Sequence, residues 1–175
     1  KLAGVKMWLV PADAAAKAAL DKAWTRLTGG ERGAPRDILV KGRKLHVPRT
    51  ADGVARFAFR DLCEKPLAGA DYLRLAHDYH TIFIDRIPVM GEAERNAAKR
   101  FITLIDTLYD NGVKLMASAE AEPDALYAAD SGIEAQEFVR TASRLFEMGS
   151  ESYLALPHGR SDSTANDATT GLVET

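Results

Sequence analysis

The stretch from Thr81 to Ala119 constrains the fold more than any other part of the chain. "TIFID" is a short run rich in β-branched residues. "AERNAAKRFITLIDTLYDN" brings Ala97, Phe101, Leu104, Ile105 and Leu108 onto one helical stripe, and "VKLMASA" is a second apolar run. Two strands joined by one helix of that length run parallel. The connection is too long for a hairpin, and only a right-handed crossover packs the helix back onto the sheet.

The preceding residues add strands of another kind. "ILVKGRKLHV" places two short apolar runs on either side of Gly42, which predicts a β-hairpin over residues 38–47 with its turn near Lys41 and Gly42. "PRTADG" reads as a break. In "VARFAF" a third strand sets Val54, Arg56 and Ala58 on one face against Phe57 and Phe59 on the other. Asp71 is placed to cap the helix "YLRLAHDY" that leads into the strand at Thr81. The expected class is therefore α/β, a mixed sheet holding a β-hairpin and a parallel β-α-β pair, flanked by helices.

Two more helices frame this unit. "ADAAAKAALDKAWTRLT" spaces Ala16, Leu20, Ala23, Trp24 and Leu27 by threes and fours and is stopped by Gly29 and Gly30; "AQEFVRTASRLFEM" lines up Phe138, Ala142, Leu145 and Met148. The last stretch, "SDSTANDATTGLVET", is too polar to offset its ordering entropy. The division expected is a helical connecting segment over 1–31, an α/β domain over 32–158 and a flexible polar tail over 159–175.

Composition excludes several functions. The formal charge of −2 supplies no basic field for nucleic acid or anionic lipid, so no nucleic-acid partner is expected, and membrane contact is expected only peripherally, through partners. A single cysteine, Cys63, allows no intrachain disulfide and suits a reducing, cytoplasmic setting. No apolar run approaches the roughly 20 residues needed to span a bilayer.

Five groups of residues could carry chemistry. Asp85, at the end of "TIFID", stands where a nucleotide hydrolase would hold magnesium, but Arg86 follows it, and no G-x-x-x-x-G-K-S/T phosphate cradle occurs in the chain. The plainer reading is a buried strand ending in exposed charge. His77 and His80, with His46 and His158, fix no third ligand by their spacing, so no metal is expected. Cys63 has no base placed beside it and reads as a core residue. Arg140 and Arg144, four apart on one helix, present two guanidinium groups to a single anion; they either clamp phosphate or pair with Glu137 and Glu147 on a solvated face. Arg100, Asp106 and Asp110 lie along one helix, and the two acids four apart read as exposed charge.

Three long segments, "FRDLCEKPLAGADYLRLAHDYHTIFIDRIPVM", "AAKRFITLIDTLYDNGVKLMASAEAEPDALY" and "RTASRLFEMGSESYLALPH", occur in this order. Together they resemble the carboxyl-terminal half of the ZapE-like, AFG-type AAA-family ATPases, bacterial cell-division proteins related to a mitochondrial ATPase. The resemblance covers nearly all of residues 1–158. It implies a parent protein whose P-loop, magnesium-holding acids and sensor strand lie before Lys1, and which uses ATP and Mg2+ as a homo-oligomer to remodel protein clients. It makes "TIFIDRIP" a strand of the carboxyl-terminal region, not the hydrolytic strand. It also maps the family's "RT-x-SRL-x-EM" segment onto Arg140 to Met148, with Arg140 and Arg144 as candidates for sensing nucleotide or acting as arginine fingers. Asp85 and Arg100 are the weaker candidates. The chain alone is expected to bind neither ATP nor Mg2+ and to be inactive. A non-catalytic scaffold that docks a partner through the hairpin is the alternative.

Overall fold

The computed structural model describes residues 7–159. Apart from Gly159, the polar tail expected at 159–175 lies outside the described residues. Six strands form one sheet: β1 (Trp8–Leu9), β2 (Ala34–Val40), β3 (Arg43–Ala51), β4 (Val54–Ala58), β5 (Thr81–Ile87) and β6 (Lys114–Ala119), in the spatial order β1-β6-β5-β4-β3-β2. The helices are α1 (Ala14–Thr28), α2 (Phe59–Cys63), α3 (Gly69–Asp78), α4 (Arg95–Asp110), α5 (Ile133–Met148) and α6 (Glu151–Leu154).

The expected mixed sheet is present. β5 and β6 pair in parallel across α4, and β2 and β3 form the antiparallel hairpin. Its turn residues, Lys41 (φ 49°) and Gly42 (φ 77°), are both left-handed, the backbone a two-residue hairpin of matching twist requires. A second parallel pair, β4 with β5, is joined through α2 and α3, and β1 adds itself in parallel to β6.

Two local expectations are corrected. "PRTADG" is not a break. β3 runs through Pro48 to Ala51, and the reversal is confined to Asp52 (φ 53°) and Gly53 (φ 78°). Pro48 is tolerated because it falls at the irregularity where β2 and β3 lose register between Ala34 and Arg36. Gly53 is needed on two counts: its φ, and the His80 ring, which a Cβ there would meet at 2.7 Å. Asp71 does not cap α3 as its first flanking residue. It sits within the first turn, accepts the Ala68 backbone N–H at 2.8 Å and receives Arg43 of the hairpin at 2.8–2.9 Å. One buried carboxylate thereby ties the helix start to β3.

The sheet has one thick and one thin face. Ile38, Val47, Phe57, Ile82, Ile84 and Leu115 point with α2 to α5 into the main core, where Phe101 stacks on Phe138 with ring centroids 5.9 Å apart. On the other face α1 is the main cover, with Leu154 at the end of α6 packed at its margin. Leu20, Ala23 and Trp24 cover Val54, Phe83 and Met116, and Trp24 meets Phe83 edge-on at 5.5 Å. α1 begins where the Asp13 carboxylate accepts the Ala16 N–H at 2.9 Å and ends at left-handed Gly29.

Candidate functional site

At the carboxyl end of β5, Asp85 is not left facing solvent. Arg56 on neighbouring β4 donates from Nε and Nη2 to its two oxygens, both at 2.8 Å, and from Nη1 to Asp21 of α1, also at 2.8 Å. The Arg56 side chain is only 7% exposed, so one guanidinium joins α1, β4 and β5 away from water. Burial alone would lower its pKa; the hydrogen bonds and charges of Asp85 and Asp21 outweigh it and keep Arg56 firmly protonated. At Asp21 burial pushes the carboxyl up, but Lys17 and Arg56 together hold it below its usual range.

This geometry decides what Asp85 can do. Both carboxylate oxygens already accept from Arg56 in a fork-to-fork pair, so a magnesium ion at Asp85 would have to compete with that guanidinium. Arg56 and Asp21 escaped the sequence reading. The available signal was an arginine inside an otherwise apolar strand, which must find a buried acid or snorkel out. Arg86, the next residue, adopts a left-handed φ of 59° at a register shift between β5 and β6, and its N–H is received by Ser118 Oγ at 2.9 Å.

Arg140 and Arg144 do emerge on one face of α5, as their spacing requires. Their partner, however, is Asp106 across the helix pair on α4, and not Glu137 or Glu147. Arg140 Nη2 lies 3.4 Å from Asp106 Oδ2, and Arg144 Nη1 donates to Oδ1. The Arg144 guanidinium also lies over the Tyr109 ring, 4.9 Å from its centroid. Glu147 is drawn to the Tyr109 hydroxyl instead, where its hydrogen bond, then burial, raises the phenol's pKa. The physical reason is packing: α4 and α5 lie side by side, so a cross-helix acid reaches the guanidinium groups. Arg140 stays 58% exposed and Arg144 26%.

The remaining candidates fall elsewhere. Arg100 donates to the Cys63 carbonyl at 3.1 Å and so closes the end of α2. Cys63 is fully buried, and burial drives its thiol pKa far upward, away from nucleophile chemistry. His77 sits against Asp78, His80 contacts Thr81 and the Asp52 carbonyl, His46 pairs with Asp37, and His158 meets the Ala76 carbonyl. Among the described residues no group of three or more metal-ligating side chains assembles, and no helix is long and apolar enough to cross a membrane. The structure brings Arg140 and Arg144 together, and leaves Asp85 and Arg100 each with a different partner.

Comparison with known proteins gives this architecture relatives. Residues 1–157 match the family model described as AFG1-like ATPase. The cell division protein ZapE of Escherichia coli is 34% identical over 152 residues, covering 87% of this chain and 40% of that protein. Lactation elevated protein 1 homolog B of Danio rerio is 36% identical over 115 residues, covering 66% of this chain and 22% of that protein. The chain thus spans less than half the length of these relatives. No solved structure matches. With its whole helix-flanked sheet inside the family match, the chain belongs to the AFG1-like ATPase family.

Proposed function

We propose that the chain is the carboxyl-terminal part of an ATPase that couples ATP hydrolysis, carried out by a P-loop core elsewhere in the same polypeptide, to the remodelling of protein partners in cell division. The observation that carries this reading is the family match across residues 1–157. The name of the E. coli relative supplies the cell-division setting. The Arg56–Asp85 pair supports putting magnesium chemistry outside this part, since Asp85, near the end of the parallel strand β5, is already paired with a guanidinium.

In this reading Arg140 and Arg144 face a nucleotide-bearing neighbour within a homo-oligomer, and Asp106 holds them in place until a phosphate competes for them. The test is ATP turnover by the full-length protein, by the isolated chain, and by full-length Arg144→Ala and Arg140→Ala variants. The reading expects turnover only in the full-length protein, and a loss with at least one arginine variant. Turnover by the isolated chain that Asp85→Ala abolishes would overturn it.

A second reading is favoured by one observation: Asp106 already engages both arginines, so neither needs a nucleotide to be satisfied. The chain would then be a docking module without a nucleotide role. Unchanged ATP turnover in both arginine variants, together with lost partner binding when the Ile38–Val47 hairpin is altered, selects this second reading.

A further inference from the structure

The β5 register shift has a consequence for side-chain direction. In a regular strand successive residues alternate faces, so residue 86 would point the same way as Ile84, into the core beneath α2, α3 and α4. Instead Ile87, fully buried, takes that core position, and Arg86 is turned out at a left-handed φ of 59°. Glycine adopts this conformation without strain and arginine does not. A strained turn that could have used glycine carries a long cation, and that cation overlooks a cleft.

The cleft lies between the carboxyl ends of β4 and β5, the edge of a parallel sheet where ligands are commonly received. Ala58, Phe59, Arg60, Glu64, Asp85, Arg86 and Pro88 line about 250 Å³ of space. That is below the roughly 300–1,000 Å³ of sites for drug-sized molecules and suits a single compact group. Its acids are mostly spoken for. Asp85 gives both oxygens to Arg56, and neighbouring Asp61 accepts the Ala58 N–H at 2.9 Å. Among the described residues neither Arg60 nor Arg86 has a carboxylate within ion-pair distance. Arg60 and Arg86 thus line the cleft as exposed cations without a carboxylate partner, and Glu64 is the lining acid left uncommitted.

We propose that this cleft binds a phosphate group through Arg60 and Arg86, as free orthophosphate or as the phosphate of a nucleotide. Planar guanidinium forks match the oxygens of a phosphate, and two of them from separate elements can grip one such group from both sides. The site is separate from Arg140 and Arg144 and stands whether or not the ATPase reading holds.

The test is titration of the isolated chain with orthophosphate, AMP and ATP at fixed ionic strength, followed by the arginine side-chain N–H signals in NMR. The wild type is expected to show saturable shifts at Arg60 and Arg86. Arg60→Gln and Arg86→Gly are each expected to weaken binding by about tenfold or more. Arg86→Gly keeps the fold, since glycine relieves the strained φ, and its urea midpoint should equal or exceed the wild type's. Arg140→Gln is expected to leave this binding unchanged. Tighter binding of AMP or ATP than of orthophosphate, dependent on Arg86, assigns a nucleotide source; equal or weaker binding assigns free phosphate. No saturable shift with any of the three at tens of millimolar, or equal affinity in Arg86→Gly, overturns the proposal.

Discussion

Arg56 and the Arg140/Arg144 pair put the same functional group to opposite uses. Arg56 is one buried guanidinium between α1 and the sheet with two carboxylates, Asp85 largely buried beside it and Asp21 44% exposed. Arg140 and Arg144 are two guanidinium groups sharing one carboxylate at the surface of the α4–α5 pair. In the first, acids outnumber the base and Arg56 donates to both of them, so the group is spent on holding elements together. In the second, bases outnumber the acid and donors are left over. The ratio of partners and the access of water, more than the residue type, separate an arginine that builds a fold from one that can meet a ligand.

The largest effect expected from this contrast is at Arg56. Arg56→Ala leaves the largely buried Asp85, and the more exposed Asp21, without their cation, and breaking a buried pair such as Arg56–Asp85 costs about 3–5 kcal/mol. Urea unfolding measures it as a lower midpoint with an unchanged slope. A joint Arg56→Met and Asp85→Leu change should recover most of that loss, because no buried charge is then left unmatched. If Arg56→Ala costs no more than a surface pair, the comparison fails at its stronger end.

Acid titration sharpens the same contrast. Asp21 is held below its usual pKa by Lys17 and Arg56, against the opposing pull of burial. Its folded pKa is depressed, so the stability it contributes is fully present above its unfolded pKa, about 3.9, and is lost as pH falls through the lower folded value. Asp78 behaves likewise: burial raises its carboxyl, but His77, Arg74 and Arg36 bring it down. Stability measured from pH 5 to pH 2 should fall below about pH 4, and more gently in Arg56→Met, where part of the Asp21 depression is gone.

The sequence makes some of this legible because the signal is local. The β5-α4-β6 unit and the hairpin follow from periodicity and turn residues within a few positions of one another. The pairing of β4 with β5, the edge placement of β1 and the continuation of β3 through Pro48 depend on which distant strand lies alongside, and one strand's residues do not specify that. The same holds for the sites. The spacing of Arg140 and Arg144 says that they share a face, but Asp106 lies 34 and 38 positions away and meets them only because α4 and α5 pack together. Arg56 was hidden for the converse reason: its partners lie 35 and 29 positions away, and the apolar residues around it read as an ordinary strand.

A middling effect is expected at Asp106. Asp106→Ala removes the one acid between two arginines on half-exposed surface, so the fold should lose only about 0.5–1 kcal/mol, with mutual repulsion of the freed cations included. The informative readout is a second one. With no internal competitor, Arg140 and Arg144 should show stronger, salt-sensitive shifts of their side-chain signals on adding a polyphosphate. Weaker shifts than in wild type would mean that Asp106 positions the pair for an anion and does not merely occupy it.

The smallest effect is expected at Arg140 and bears hardest on the surface end of the comparison. Its contact with Asp106 is long, 3.4 Å, and 58% of the side chain is exposed, so water and salt already screen most of the attraction. Arg144 has the closer contact and the Tyr109 ring beneath it, which adds a cation–π component. Arg140→Ala should therefore change the unfolding free energy read from urea titration by less than about 0.5 kcal/mol, and Arg144→Ala by more. The double variant should cost more than the sum, because each single loss is partly made good when Asp106 turns to the remaining arginine, and the double variant leaves it none. If Arg140→Ala is the costlier of the two, Asp106 belongs chiefly to Arg140, and Arg144 becomes the side chain with donors to spare.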